Sequence, residues 1–215
     1  PLARAGRVVS GVDASVTAAD AFADAWRQRA GVTVTMHRNS HVQRLHGRRL
    51  ASTVGEFEGP PGRARSATRA DRELLVEWLR AFGNEVGNLT AVPEAVADDT
   101  LGHGGAVFWE ADGRPVAVAM MAPPIAGVVE VSNLYTPPRH RGHAYAIAAL
   151  VAVSRAELRC RAREVVLISD GVRPMRRATR LGFEPIEERS VLSFGPPTGP
   201  LPRLTGLTGP LPRVR

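Results

Sequence analysis

The chain has 215 residues, 44% of them hydrophobic and 23% charged, with a formal net charge of +7. This is the profile of a globular protein holding one full domain and a smaller unit. It excludes a membrane span, since the most apolar stretch, Ala144 to Val153, is too short and is broken by Tyr145. Pro1 to Ser10 lacks the basic-then-apolar order of a secretory signal. The single cysteine, Cys160, excludes an internal disulfide and fits a reducing, cytoplasmic setting. All 28 basic residues are arginine and lie scattered, which suits a small anionic ligand better than a nucleic-acid surface.

In chain order, Gly6 to Ser10 with Val12 reads as a short strand. Thr17 to Arg29 predicts a helix, with Phe22 and Trp26 four apart on one face and Gly31 ending it. Val32 to Met36 alternates as a strand, and His41 to His46 as a second that pairs with it. Glu58-Gly59-Pro60-Pro61-Gly62 is a Gly/Pro cluster. It places a linker at 59–66, between an N-terminal extension (1–58) and a main domain (67–194). Thr68 is the expected N-cap of a helix, with Asp71 at the third position and Leu74, Leu75, Trp78, Leu79 and Phe82 as its apolar face. Pro93 to Asp98 is a second, short helix. A meander follows: Gly105 to Glu110, a tight turn at Asp112-Gly113, Pro115 to Met121, then a strand containing Glu130. A long helix runs to Arg161, Glu164 to Ser169 is a strand, Pro174 to Leu181 a helix, and Glu184 to Phe194 the last strand. The tail, 195–215, repeats Thr-Gly-Pro-Leu-Pro-Arg at 198–203 and 208–213, a composition of extended, polyproline-like chain.

The most informative stretch is Leu134 to Ala146, Leu-Tyr-Thr-Pro-Pro-Arg-His-Arg-Gly-His-Ala-Tyr-Ala. A strand-like run precedes it, and Ile147, Leu150, Val151, Ser154 and Leu158 follow at helical spacing. Pro137 and Pro138 forbid further sheet pairing. Free N–H groups at such a helix start make an anion site, and Gly142 lets a phosphate approach the backbone. This arrangement resembles the GNAT superfamily of acyl-CoA-dependent N-acyltransferases. Their pattern is a strand, Pro, two residues, Gln or Arg, then Gly-x-Gly-x-Gly/Ala opening a helix; Ala144 replaces the second glycine here. The resemblance spans roughly residues 67 to 194. It implies an α+β fold, a mixed, mostly antiparallel central sheet flanked by helices. To this the chain adds a small N-terminal α/β extension, either a degenerate GNAT half or a packing extension.

The resemblance further implies acetyl-CoA, or another acyl-CoA, as co-substrate, an amine of a small molecule or peptide as acceptor, and no metal. Leu134, Tyr135 and Thr136 would pair through their backbone with pantetheine, with Asn133 at the associated bulge. Arg141, Gly142, His143, Ala144, Tyr145 and Ala146 would bind the pyrophosphate. Glu130, 11 positions before Arg141, is the implied general base and Glu110 the second choice; an amine must lose a proton before it can attack. The bland alternative is a strand glutamate paired with an arginine. In many relatives a tyrosine on the last helix protonates the thiolate. Aligned on Arg180-Leu181-Gly182-Phe183, its place holds Ala178, and that of an accompanying asparagine Met175. The loop Asp170 to Arg173 also looks shortened. These departures leave a second reading, a weak or silent GNAT domain that binds acyl-CoA or supports an assembly; a homodimer stays open. A charge-driven nucleic-acid module is a third. His37, His41 and His46 lie on extended segments whose spacing does not converge metal ligands. His103 reads as a loop histidine near the acceptor pocket, His140 as a contact to solvent or phosphate, and Cys160 as inert packing.

Overall fold

The computed structural model describes residues 9–47, 57–86, 92–170 and 172–195. They fall into two compact units, residues 1–41 with 187–215, and residues 42–186.

The smaller unit contains β1 (Gly11–Ser15), α1 (Val16–Ala30), the first part of β2 (Val34–His46) and most of β8 (Glu184–Phe194). β1 runs antiparallel to β8, from Gly11 opposite Ser193 to Ser15 opposite Arg189. α1 lays Ala19 and Ala23 on Leu192, and Phe22 stacks on Trp26 with ring centroids 5.9 Å apart. Gly31 takes φ 62° and returns its N–H to the Arg27 carbonyl at 3.0 Å, the left-handed stop its sequence position predicts. Two expectations change here. The first strand begins at Gly11, and residues 6–8 lie outside the described residues. The expected hairpin is one continuous β2, whose neighbours in the sheet are β8 and β7 (Glu164–Asp170). Ser40 is buried in it and the Ser190 hydroxyl of β8 donates to Asn39 Oδ1 at 3.3 Å, contacts that outweigh the turn preference of Asn39-Ser40. Finally, the first strand of the expected extension pairs with β8, at the end of the expected 67–194 domain.

The larger unit carries the end of β2, then β3 (Arg63–Ser66), α2 (Arg72–Val86), α3 (Pro93–Gly102), β4 (Ala106–Ala111), β5 (Arg114–Met121), β6 (Val128–Tyr135), α4 (Tyr145–Cys160), β7 and α5 (Val172–Arg180). Its strands lie in the order β2-β7-β6-β5-β4-β3. The pairs β3–β4, β4–β5 and β5–β6 are antiparallel and β6–β7 is parallel. The two-residue period of β5 divides the core. Ala119 and Met121 join Val129, Val131 and α4 (Ala149, Leu150, Val153) on one face. Val118 and Met120 join Phe108 and α2 (Leu75, Trp78) on the other. The result is a mixed, mostly antiparallel sheet flanked by helices. Among the described residues no helix is long and apolar enough to cross a membrane.

Local chemistry explains most element ends. Asp112 and Gly113 take φ 51° and 72°, the left-handed pair a two-residue hairpin needs. Thr68 and Asp71 cap each other in a short 3₁₀ turn ahead of α2, the Thr68 N–H donating to Asp71 at 2.7 Å. Arg65 forks onto both Asp71 oxygens at 2.9 Å and holds that carboxyl well below the usual range. α3 continues past the expected Asp98 to Gly102. The second half of the expected linker, 59–66, forms β3. Arg63-Ala64-Arg65-Ser66 shows no apolar alternation, as befits a charged edge strand. Gly62 lets it approach β4, since a Cβ there would lie 2.2 Å from the Glu110 carbonyl. Residues 196–215, with the repeated tail, lie outside the described residues.

Candidate active site

The site starts where β6 loses one neighbour. β6 and β7 pair from Val128–Glu164 to Val131–Leu167, and the ladder stops there. β6 nevertheless continues along β5, Leu134 opposite Ala119 and Tyr135 opposite Val118. A bulge marks the fork: Met121 faces Val131 and Met120 faces Asn133, so Ser132 is the extra residue and Asn133 flanks it. Beyond the fork, the β6 backbone groups on the β7 side have no strand partner among the described residues. The Leu134 side chain packs towards the α4 core, while Tyr135 is buried with Trp78 and Phe82. Backbone groups of successive strand residues point to opposite edges, so one of the two pairs with β5 and the other offers its N–H and C=O to the gap.

The chain then turns through Pro137 and a 3₁₀ turn at Pro138–His140 into the loop 141–144. Gly142 has φ 89°, and a Cβ there would meet nothing within 4 Å, so the space above it is open. Ala144, at φ 60°, is the left-handed residue before α4, which explains why a glycine suits that position; alanine costs about 1 kcal/mol there. No side chain caps α4. Its first-turn N–H groups, at Tyr145, Ala146 and Ile147, lie at the positive end of the helix dipole without an intrahelical acceptor.

The Arg141 guanidinium is engaged. Nη2 donates to both Glu85 oxygens at 2.7 and 2.5 Å, and Nε donates to the Thr136 carbonyl at 3.0 Å. It thus ties the loop to the end of α2, and the Tyr135 hydroxyl donates to the same Glu85 at 3.4 Å. Burial, then the Glu85 charge, raises the Tyr135 pKa. His143 donates from Nδ1 to the Arg141 carbonyl at 3.0 Å and stacks on Tyr145, centroids 5.4 Å apart. Burial, then the Arg139 cation, lowers the His140 pKa.

The two candidate bases part company. Glu130 lies one residue before the last β6–β7 rung, half-buried, and among the described residues its carboxylate makes no hydrogen bond or ion pair. Val129 and Val131 on either side face the α4 core, so Glu130 alternates to the α2 face. Glu110 instead accepts from Arg65 Nε at 2.6 Å and Arg63 Nε at 3.4 Å. The Arg65 hydrogen bond holds its carboxyl below the usual range, which makes it a poorer base. Ala178 is buried in the α4 core. The Met175 side chain and Gly171 lie outside what is described.

The remaining expectations resolve singly. His37 bonds Ser190 at 2.7 Å, while His41 and His46 face Glu188 and Glu164 at 3.6 and 3.3 Å. His103 donates from Nε2 to the Met121 carbonyl at 2.9 Å, a structural tie at the start of the meander. Cys160 is exposed rather than packed, because it falls on the outer face at the end of α4. A concavity of about 630 Å³ is lined by Arg69, Arg72, Asp98, Leu101 and Gly102. It sits at the start of α2, roughly 20 Å along the helix from Glu85, and so belongs to another part of the surface. Glu85 escaped the sequence reading: nothing local distinguishes a glutamate on the polar face of a helix end.

No family model matches the sequence, and no curated protein matches it. Solved structures do. A putative acetyltransferase from the GNAT family of Novosphingobium aromaticivorans is 20% identical over 78% of this chain and 69% of its own, with a TM-score of 0.54. A GCN5-related N-acetyltransferase from Sphaerobacter thermophilus is 16% identical over 85% of this chain and 59% of its own, TM-score 0.58. Another from Kribbella flavida is 23% identical over 88% of this chain and 68% of its own, TM-score 0.57. The chain thus spans 59 to 69% of the length of these structures. The share of this chain they cover exceeds residues 67–194, so the likeness takes in N-terminal elements as well.

Proposed function

The chain has the GNAT fold, and from that premise we propose that it transfers an acyl group, most simply acetyl, from coenzyme A to an amine. The observation that carries this reading is the fork between β6 and β7, leading directly into an uncapped helix start beside Gly142. The gap offers β6 backbone at alternate residues of the stretch Leu134, Tyr135 and Thr136 to the amides of pantetheine. The α4 first turn and loop, Arg141 to Ala146, offer N–H groups to the pyrophosphate. The bound thioester supplies an activated acyl carbon and a thiolate leaving group.

The chain's own residues then have separate tasks. Glu130, unpaired on the strand just before the fork, takes the proton of the incoming amine. A β6 N–H beyond Val131 faces the thioester oxygen and stabilises charge developing there. Arg141, held by Glu85, fixes the loop so that backbone rather than a mobile side chain meets the phosphates. The acceptor is an amine of a small molecule or peptide. The second reading, a silent domain that binds acyl-CoA, is favoured by one observation: Ala178 is buried in the core where many relatives carry an acidic tyrosine.

Thiol release from acetyl-CoA, followed with a broad panel of amines, separates the two. Amine-dependent release supports the transferase. Tight coenzyme A binding with no release across the panel favours the silent domain.

A further inference from the structure

We infer that the Ser169 hydroxyl is the hydrogen-bond donor to the thioester sulfur, in place of the tyrosine this chain lacks; the inference rests on the acyl-CoA reading above. Ser169 lies on β7 two residues beyond Leu167, the last residue paired with β6. It therefore stands on the β7 lip of the gap, across from the stretch of β6 that follows the bulge. Its residue is only 8% exposed, and its Oγ has no hydrogen-bond partner among the described residues. Burying a hydroxyl without a partner is unfavourable. The position also interrupts an apolar row: Val165 and Leu167, on the same face, are both buried in the core. Alanine or valine would pack there without that penalty. A buried donor lacking an acceptor, on the strand that borders the gap, points to an acceptor that arrives with the ligand. The opposite lip repeats the feature, since Thr136 Oγ1 is likewise buried and without a partner.

The ends of the site fix which ligand atom is involved. Phosphates belong at the α4 start, and the base, Glu130, lies just before the fork. The thioester must therefore sit at the fork end of the gap, which is where Ser169 stands. In the step, the amine nitrogen bonds to the acyl carbon and passes its proton to Glu130. The carbon–sulfur bond breaks, and its electron pair leaves on sulfur. A serine hydroxyl is too weak an acid to surrender its proton to a thiolate, so Ser169 keeps it and donates a hydrogen bond that strengthens as sulfur becomes charged. The thiolate acquires its own proton later, from water.

The test uses the full chain with Ser169→Ala, and Ser169→Thr as the companion that retains a hydroxyl. Loss of a hydrogen bond to a charged acceptor corresponds to about a tenfold to hundredfold slower release of thiol from acetyl-CoA. Ser169→Ala should show that loss while binding coenzyme A within about twofold of the parent. It should also unfold at a higher temperature, because an unpaired buried hydroxyl has been removed. Ser169→Thr should regain most of the rate. An unchanged rate in Ser169→Ala overturns the inference. So does a joint fall of rate, affinity and unfolding temperature, or a Thr variant as slow as the Ala one. Failure of the parent chain to bind coenzyme A would remove the underlying reading instead, before any variant is compared.

Discussion

Replacing Gly142 by glutamate separates backbone conformation from charge at the proposed phosphate site. A Cβ at this position meets nothing within 4 Å, so alanine does not clash there. The residue does hold φ 89°, and any side chain there costs about 1–2 kcal/mol. Gly142→Ala carries that cost alone and serves as the control. Gly142→Glu adds a negative charge beside the pyrophosphate. At roughly 6 Å and an effective dielectric constant of about 20, Coulomb's law gives about 3 kcal/mol per pair of charges. Solvent screening of an exposed, flexible side chain lowers this, leaving about a tenfold to hundredfold loss of affinity beyond that of the control. Calorimetric titration with coenzyme A at low and at physiological salt reads both components. The glutamate variant should recover affinity as salt rises, and the alanine variant should not. Equal affinities of the two variants at low salt would refute the phosphate assignment.

Glu130→Gln should retain coenzyme A affinity and lower turnover about a hundredfold or more, the range for a lost general base; equal losses in titration and steady-state kinetics would mark a structural role. Ala144→Gly relieves a left-handed alanine and should stabilise the fold by about 0.5–1 kcal/mol in denaturant unfolding, with coenzyme A affinity unchanged or tighter. The Asp71 carboxyl is depressed by Arg65, so its stabilisation is present in full above the unfolded value near 4 and fades as pH falls through the lower folded value. Asp71→Asn should cost about 1–2 kcal/mol at pH 7 and flatten the acid side of the stability curve, read by thermal melts between about pH 2 and 6. The rate should rise with pH without a descending limb near 9 to 10, because Tyr135 is buried with a raised pKa and Ala178 has no proton to give; a falling limb abolished by one substitution would reveal an acid elsewhere.

The parts legible in the sequence were those with strong local signals. Asp112-Gly113, Gly31 and the Thr68–Asp71 cap each require one backbone geometry, and the structure adopts it. The strand–Pro-Pro–Gly–helix order placed the loop after β6, because prolines cannot continue a ladder and glycine alone tolerates φ 89° freely; the fork itself, at Val131, has no proline to mark it. The parts that were not legible depend on distant partners. β3 is an arginine-rich edge strand whose only apolar residue is Ala64, and Glu110 tethers it from β4. β2 runs through Asn39-Ser40, where the Ser190 hydroxyl of β8 donates to Asn39 at 3.3 Å. Glu85 and Ser169 become visible only when α2 meets the loop and β7 outruns its ladder. Glu110, by composition an equal candidate to Glu130, is set aside by two arginines that fold back from β3.

Backbone hydrogen exchange with and without coenzyme A tests the central claim most directly, because the proposed contacts are N–H groups. Saturating ligand should protect the gap-facing amides, every second one, within 133–136 at the end of β6, and those at 142–147 in the loop and first turn of α4. The amides of α3, by the concavity at Arg69 and Arg72, should be unaffected. Saturable binding that leaves 133–136 and 142–147 exchanging at their free rates would contradict the site, and with it the assignment of the fork as the coenzyme A channel.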